Sequence, residues 1–126
     1  MLVNMNPIIL IVDDNIDILA NLQLMLEIND YKVYSAKNGK QAIEVLKKLD
    51  QLPNLIISDI IMPEMNGYEF FNTISKNPQW SNIPFIFLTV CSSLEDQLID
   101  KISDEDIIVK PYNDDELLQI ISKKLV

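Results

Sequence analysis

Five side chains in this sequence could do chemistry together: Asp13, Asp14, Asp59, Thr89 and Lys110. Each stands where an apolar run gives out. Ile8–Val12 leads into Asp13-Asp14-Asn15, Leu55–Ile57 into Ser58-Asp59, Ile83–Leu88 into Thr89, and Ile107–Val109 into Lys110-Pro111. Carboxylates do not gather without compensation, since two unit charges about 4 Å apart repel by roughly 4 kcal/mol at an effective dielectric of 20. Lys110 can offset one charge, and a hard divalent cation would offset the rest. Mg²⁺ suits such a site because it takes a few carboxylate oxygens and keeps several waters. The chain has no histidine and a single cysteine, Cys91, so nothing soft is available for zinc or copper. A carboxylate beside Mg²⁺, a lysine and a hydroxyl is suited to receiving a phosphoryl group. The cations neutralise charge developing on the phosphoryl oxygens, and the hydroxyl can donate to one of them. Taken singly, a strand-end aspartate is commonly a cap, a threonine a satisfied turn hydroxyl and a lysine a solvated charge. The joint occurrence at four strand ends is what points to a site.

The elements that must position these groups follow from hydrophobic patterning. Ile8–Val12 is continuously apolar and β-branched, which predicts a central strand buried on both faces. Asp14 or Asn15 can cap the helix that follows, whose core stripe is Ile18, Leu19, Leu22, Met25 and Leu26. Asn29-Asp30 closes it. Tyr31–Ala36 alternates and predicts an edge strand. Asn38-Gly39 opens a helix with Ala42, Ile43, Leu46 and Leu49 as its stripe. The third strand must end near Asp59, because Pro63 cannot donate to a ladder and Gly67 tolerates unusual backbone angles. A helix burying Phe70, Phe71 and Ile74 runs from Gly67 to Asn77-Pro78. Ile83–Leu88 is the fourth strand, with Pro84 near its start. Ser92 or Ser93 can cap a helix carrying Leu94, Leu98 and Ile102. Ile107–Val109 is the last strand. Asn113 caps a final helix with Asp114, Asp115 and Glu116 at its positive end and Lys123 and Lys124 at its negative end. Five alternations of strand and helix imply an α/β fold, a doubly wound parallel sheet with helices on both faces. All the strand ends then share one edge, where ligands collect in such sheets.

Composition narrows the function. The 126 residues suit one domain over 1–126, with its core from about 7 to 125, and at 48% hydrophobic content there is enough to bury a core. No apolar run is long enough to span a membrane and no basic-then-apolar leader opens the chain, so membrane insertion is not expected and a cytoplasmic location is. The lack of histidine excludes histidine catalysis and a histidine phosphocarrier within this chain. A net charge of −9 argues against direct nucleic-acid binding, which rests on Lys and Arg neutralising phosphates.

The four strand-end segments together resemble the receiver domain of bacterial response regulators, in two-component signalling. They are Ile-Val-Asp13-Asp14-Asn, Ile-Ile-Ser-Asp59-Ile-Ile-Met62-Pro63-Glu-Met-Asn-Gly67, Phe-Leu-Thr89 and Val-Lys110-Pro111. The resemblance spans roughly residues 7 to 125. It implies a flavodoxin-like, five-stranded parallel sheet of order 2-1-3-4-5. It also implies that Asp59 is the phosphoacceptor, served by a histidine kinase or a histidine phosphotransfer protein, with a downstream protein effector as the output. Carried over by position, Asp14 is a direct Mg²⁺ ligand, Asp13 a largely water-mediated one, and Asp59 and the backbone carbonyl of Ile61 complete the metal's protein ligands. Thr89 is the switching hydroxyl, Lys110 the phosphate-pairing cation, and the Lys110–Pro111 bond is cis. The resemblance implies a domain that catalyses its own phosphorylation and dephosphorylation and is not a turnover enzyme on an external substrate.

Three positions depart from the family pattern. Ile107 replaces the usual aromatic that swings with the switch threonine, Val90 replaces a small residue, and Ser103-Asp104-Glu105-Asp106 lacks the usual Gly-Ala. These changes bear on the output surface rather than on the phosphorylation chemistry. Two further positions, Ile61 and Cys91, lie two residues after Asp59 and Thr89, where the family resemblance places groups that hold the hydrolytic water. Three alternatives stand beside the leading one. A receiver-like module that binds partners without phosphorylation would not need a metal. An FMN-binding protein of similar fold would have Asp13-Asp14 repelling its phosphate. A hydrolase using Asp59 as nucleophile would lack a second acid two residues on, because that residue is Ile61.

Overall fold

The structure is a computed structural model that describes residues 6–60, 62, 65–89 and 106–125. Five strands are present: β1 (Ile8–Val12), β2 (Lys32–Ala36), β3 (Leu55–Asp59), β4 (Phe85–Thr89) and β5 (Ile107–Val109). All pair in parallel, in the order β2-β1-β3-β4-β5 that the resemblance implies. The helices among the described residues are α1 (Ile16–Ile28), α2 (Gly39–Lys48), α3 (Gly67–Lys76) and α4 (Asp114–Lys124). The helix expected over Ser92–Ile102 lies outside the described residues.

Apolar side chains alternate across the strands and build two cores. Ile9, Ile11, Ile57, Leu88 and Ile108 pack with Leu19, Leu22 and Leu26 of α1 and with Leu117 and Ile121 of α4. Leu10, Ile56, Phe85 and Phe87 pack on the other face with Ala42 and Leu46 of α2 and with Phe70 and Ile74 of α3. Phe70, Phe71, Phe85 and Phe87 form a ring cluster there, with centroids 4.7–5.5 Å apart. Trp80, in the turns after α3, is buried against the same core, a contribution that helical periodicity does not reveal. Ile107 packs partly buried against this cluster and pairs with Phe87.

Each helix starts at the edge of the sheet where the strands end, and each is capped by an asparagine. Asn15 accepts from the amides of Asp17 and Ile18, Asn38 from Gln41, and Asn113 from Asp115 and Glu116. Asn66 makes a reciprocal capping box with Glu69. Orphan amides at four helix starts are thereby satisfied close to the strand ends.

Two element boundaries shift by one or two residues. The second strand begins at Lys32, because the amide of Tyr31 bonds back to Leu26 and closes α1 instead. The fourth runs Phe85–Thr89 rather than from Ile83. Pro84 has no amide to give the ladder, although its carbonyl still accepts from Ile56. The role expected of Gly67 is corrected. No glycine has positive φ among the described residues, so unusual backbone angles are not the reason for it. Gly67 is the first residue of α3, and a Cβ there would collide with the Asp59 carbonyl and approach Ile60 Cα to 2.8 Å. A glycine is needed for close approach, not for torsional freedom.

Candidate functional site

The ladder carries the site residues to one edge. The amide of Asp13 donates to Ala36 just beyond β1, and that of Lys110 donates to Thr89 just beyond β5. Asp59 and Thr89 are the last residues of β3 and β4. Asp13 is buried, Asp14 exposed, Asp59 intermediate and Thr89 fully buried. Carboxylate oxygens of Asp13, Asp14 and Asp59 all lie within 4.8 Å of one another. Ile61 lies outside the described residues, so its carbonyl is not placed here.

Lys110 reaches into this acidic cluster. Its Nζ lies 3.0 Å from Asp13 Oδ2 and 3.8 Å from Asp59 Oδ2. One cation therefore serves two carboxylates that come from different strands. Backbone amides supply the remaining order: the amide of Asn15 donates to Asp13 Oδ1 at 2.9 Å, and that of Ile60 to Asp59 Oδ1 at 2.8 Å. Charge-assisted bonds of this kind fix the carboxylates as well as stabilising them. The Lys110–Pro111 bond is cis, as the resemblance implies.

Three supporting groups were not singled out by their chemistry in the sequence. Ser58, fully buried, donates its hydroxyl to the Asp59 carbonyl at 2.8 Å. The Gly67 amide donates to the Ile60 carbonyl at 2.7 Å, tying the start of α3 to the end of β3. Tyr112 follows the cis bond, and burial raises its phenol above the ordinary range, with the nearby Asp114 and Asp13 charges adding to the shift. Alternation along Ile56-Ile57-Ser58 signals the inward placement of Ser58. Nothing local signals that of Tyr112, which depends on the packing of the loop after β5. A cavity of about 670 Å³ opens beside Lys110, between α1 and that loop, lined by Ile18, Met25, Pro111 and Tyr112 among others.

A parallel sheet of this order, with three carboxylates and a lysine at its C-terminal edge, is matched over residues 9–122 by the family model of the response regulator receiver domain. The chain belongs to that family. This receiver domain is 44% identical over 107 residues to a probable cyclic di-GMP phosphodiesterase of Vibrio cholerae, covering 83% of this chain and 23% of that protein. It is 34% identical over 111 residues to the transcriptional regulatory protein CpxR homolog of Haemophilus influenzae, covering 87% and 46%. The chain thus spans less than half the length of either relative. A likeness at nearly full length is an uncharacterized 14.6 kDa protein of Leptolyngbya boryana, 34% identical over 91% of this chain and 87% of that one. Among solved structures, the chemotaxis response regulator CheY4 of Vibrio cholerae superposes with a TM-score of 0.84 at 30% identity, over 96% of this chain and 100% of that chain. The receiver domain of a signal transduction histidine kinase from Syntrophus aciditrophicus gives 0.85 at 33% identity, over 94% and 89%. Among the described residues, no helix is long and apolar enough to cross a membrane.

Proposed function

We propose that this receiver domain accepts a phosphoryl group on Asp59 from a phosphohistidine donor, and that the modification switches the binding of a downstream protein. The observation that supports this most is Lys110 Nζ standing between Asp13 and Asp59, with Asp14 completing the acidic cluster. In the reaction, a carboxylate oxygen of Asp59 bonds to phosphorus as the phosphorus–nitrogen bond to the donor imidazole breaks. The electron pair leaves with the imidazole nitrogen, and an acyl phosphate forms. The Ile60 amide holds Asp59 Oδ1, which fixes the carboxylate plane before the donor arrives. Lys110 neutralises part of the charge on the incoming group. Thr89 supplies a hydroxyl to a phosphoryl oxygen, and the cavity beside Lys110 leaves room for the donor to approach.

Three carboxylates within 4.8 Å of one another, two of them sharing the single charge of Lys110, suit a hard divalent cation. Asp13, Asp14, Asp59 and the Ile61 carbonyl would hold Mg²⁺, which when bound supplies positive charge against the phosphoryl oxygens. The donor is a histidine kinase or a histidine phosphotransfer protein. Residues 7–125 act as one unit in the cytoplasm, without direct nucleic-acid contact or membrane insertion. The domain consumes a phosphodonor but does not turn over an external substrate.

The test is Asp59→Asn, which keeps the shape and removes the nucleophile. Wild type, incubated with a phosphorylated histidine donor and Mg²⁺, should take up acid-labile phosphate that EDTA suppresses. The variant should take up none. Wild-type incorporation by Asp59→Asn would overturn the assignment.

A further inference from the structure

Strand β2 is an open edge of the sheet: β1 pairs with it on one side, and among the described residues no strand pairs with it on the other. The ladder shows which of its backbone groups are left over. The amide of Lys32 donates to Pro7 and the carbonyl of Ala36 accepts from Asp13, so Lys32, Tyr34 and Ala36 turn their backbone groups to β1. The amides and carbonyls of Val33 and Ser35 point the other way, and among the described residues nothing pairs with them. Just past the strand, the amide of Lys37 donates to Gln41 Oε1 at 2.6 Å, which ends the open stretch. Such an edge is a template for one more strand.

Charge decides what fits it. The chain carries −9, and its ten basic residues are all lysine. Five of them lie between Asp30 and Asp50, where Glu44 is the one acid. All five, Lys32, Lys37, Lys40, Lys47 and Lys48, are exposed. Lys32 and Lys37 stand at the two ends of the open edge. Helix α2 follows at once and runs back along the sheet, so Lys40 lies near Lys37, while Lys47 and Lys48 return to the end that holds Lys32. Lysines on an edge strand commonly keep sheets apart. Three of these five sit on α2 instead, where no edge needs guarding. Pairing of two β2 edges would set the lysines against their own copies. Tyr34 is half-buried with the Lys32 ammonium 5.5 Å from its ring centroid, so it offers a nucleic-acid base no open ring. The apolar face of α2 is spent on the core, which leaves a membrane nothing to take up.

We propose that the β2 edge takes up an acidic segment of a partner protein as an added strand, with backbone bonds to Val33 and Ser35 and carboxylates at Lys32 and Lys37. The two lysines are five residues apart, roughly 16 Å along a strand, and an odd spacing puts them on opposite faces. The matching segment carries acids at the same spacing. At physiological ionic strength charges beyond about 8 Å are screened, so the lysines beside the edge outweigh the net negative charge of the chain.

The probe is a short fluorescent peptide of threonine and valine with glutamates at the Lys32–Lys37 spacing. It is titrated into the full chain at about 0.15 M salt and followed by anisotropy and by amide exchange at Val33 and Ser35. It should bind with a dissociation constant below about 1 mM and slow exchange at both amides. In one control peptide the amides that face the edge are N-methylated, and in another lysine replaces glutamate. Each should bind about tenfold more weakly or worse. Lys32→Glu with Lys37→Glu, both at exposed positions, should transfer the preference to the lysine peptide while phosphate uptake stays at the wild-type level. The proposal is overturned by no binding of the glutamate peptide at about 1 mM, by equal binding of the N-methylated peptide, by unchanged exchange at Val33 and Ser35, or by unchanged preference in the charge-reversed variant. It is overturned equally if the edge serves a dimer of this chain, or binding to an oligonucleotide or to phosphatidylglycerol vesicles, that the charge-reversed variant abolishes.

Discussion

Replacing Lys110 with methionine keeps most of the side-chain stem and removes the charge. The lysine Nζ is 3.0 Å from Asp13 Oδ2 and 3.8 Å from Asp59 Oδ2. At an effective dielectric of 20, those attractions are about 5.5 and 4.4 kcal/mol before desolvation is counted. The three side chains are between 3% and 13% exposed, so solvent screens the cluster little. Desolvation of the ions offsets much of the gross attraction, and removing one partner of a buried pair costs about 3–5 kcal/mol. The low end applies, about 3 kcal/mol, because the Asn15 and Ile60 amides still serve the two carboxylates. For a chain of this size that lowers the melting temperature by roughly 10 °C. The assay is urea denaturation of wild type, Lys110→Met, Asp13→Asn and the double variant in EDTA. Asp13→Asn removes the charge that makes the loss of lysine costly, so the cycle should show coupling of at least about 1 kcal/mol. Mg²⁺ should restore part of the stability lost in Lys110→Met, since a ligand of the native state alone stabilises by mass action. A loss below about 1 kcal/mol, or strictly additive single variants, would refute the reasoning.

Gly67→Ala should destabilise the domain by about 2 kcal/mol or more and reduce phosphate uptake together, because the added Cβ meets the backbone of Asp59 and Ile60, which cannot move without displacing the acceptor. Unchanged uptake and urea midpoint would show that the loop yields freely. Burial raises the Tyr112 phenol, with Asp114 and Asp13 adding to the shift, so above about pH 10 the unfolded phenol ionises while the folded one stays protonated. Stability should therefore fall as pH rises from the unfolded value towards the folded one, and Tyr112→Phe should flatten that fall in urea midpoints measured across this range. The aspartyl phosphate should be long-lived, since isoleucine gives a hydrolytic water no hydrogen bond and a thiol only a weak one at positions 61 and 91. After the donor is removed, Ile61→Asn and Cys91→Glu should each speed the decay of label in Mg²⁺, and equal decay in all three proteins would sink the idea.

Much of this architecture is legible in the sequence because the central strands are continuous apolar runs. Ile8–Val12 and Leu55–Ile57 leave little choice but burial on both faces, and the polar residue that ends each run marks the sheet edge. That one fact places Asp13, Asp59, Thr89 and Lys110 together before any contact is known. What is not legible depends on contacts between distant segments. The Lys110 ammonium shared by two carboxylates, the burial of Trp80 and the half-burial of Tyr112 are set by packing across the sheet and its loops. The Gly67 residue is visible as a glycine, but its reason, a backbone carbonyl pressed against it, is not. On α1, the stripe read from spacing includes Ile18 and Met25, which are only half-buried and line the cavity beside Lys110, while Leu19, Leu22 and Leu26 enter the core.

Alternation along the strands divides the site between the two faces of the sheet. Asp13, Asp59 and Lys110 follow Ile11, Ile57 and Ile108 by two residues, so they continue the rows that face α1 and α4. Ser58 and Thr89 follow Ile56 and Phe87 by two, and continue the rows that face α2 and α3. Asp13, Asp59 and Lys110 therefore belong to one face and the two buried hydroxyls to the other. A phosphoryl group on Asp59 adds negative charge on the first side, where Lys110 already stands within 3.8 Å. A hydroxyl that reaches it from Thr89 must do so across the end of the sheet, at the point where the chain leaves β4. In the function proposed for this domain, phosphorylation thus does more than alter a local charge. It creates a link between the charged row and the hydroxyl row, and the segment that must accommodate that link is the one leaving Thr89.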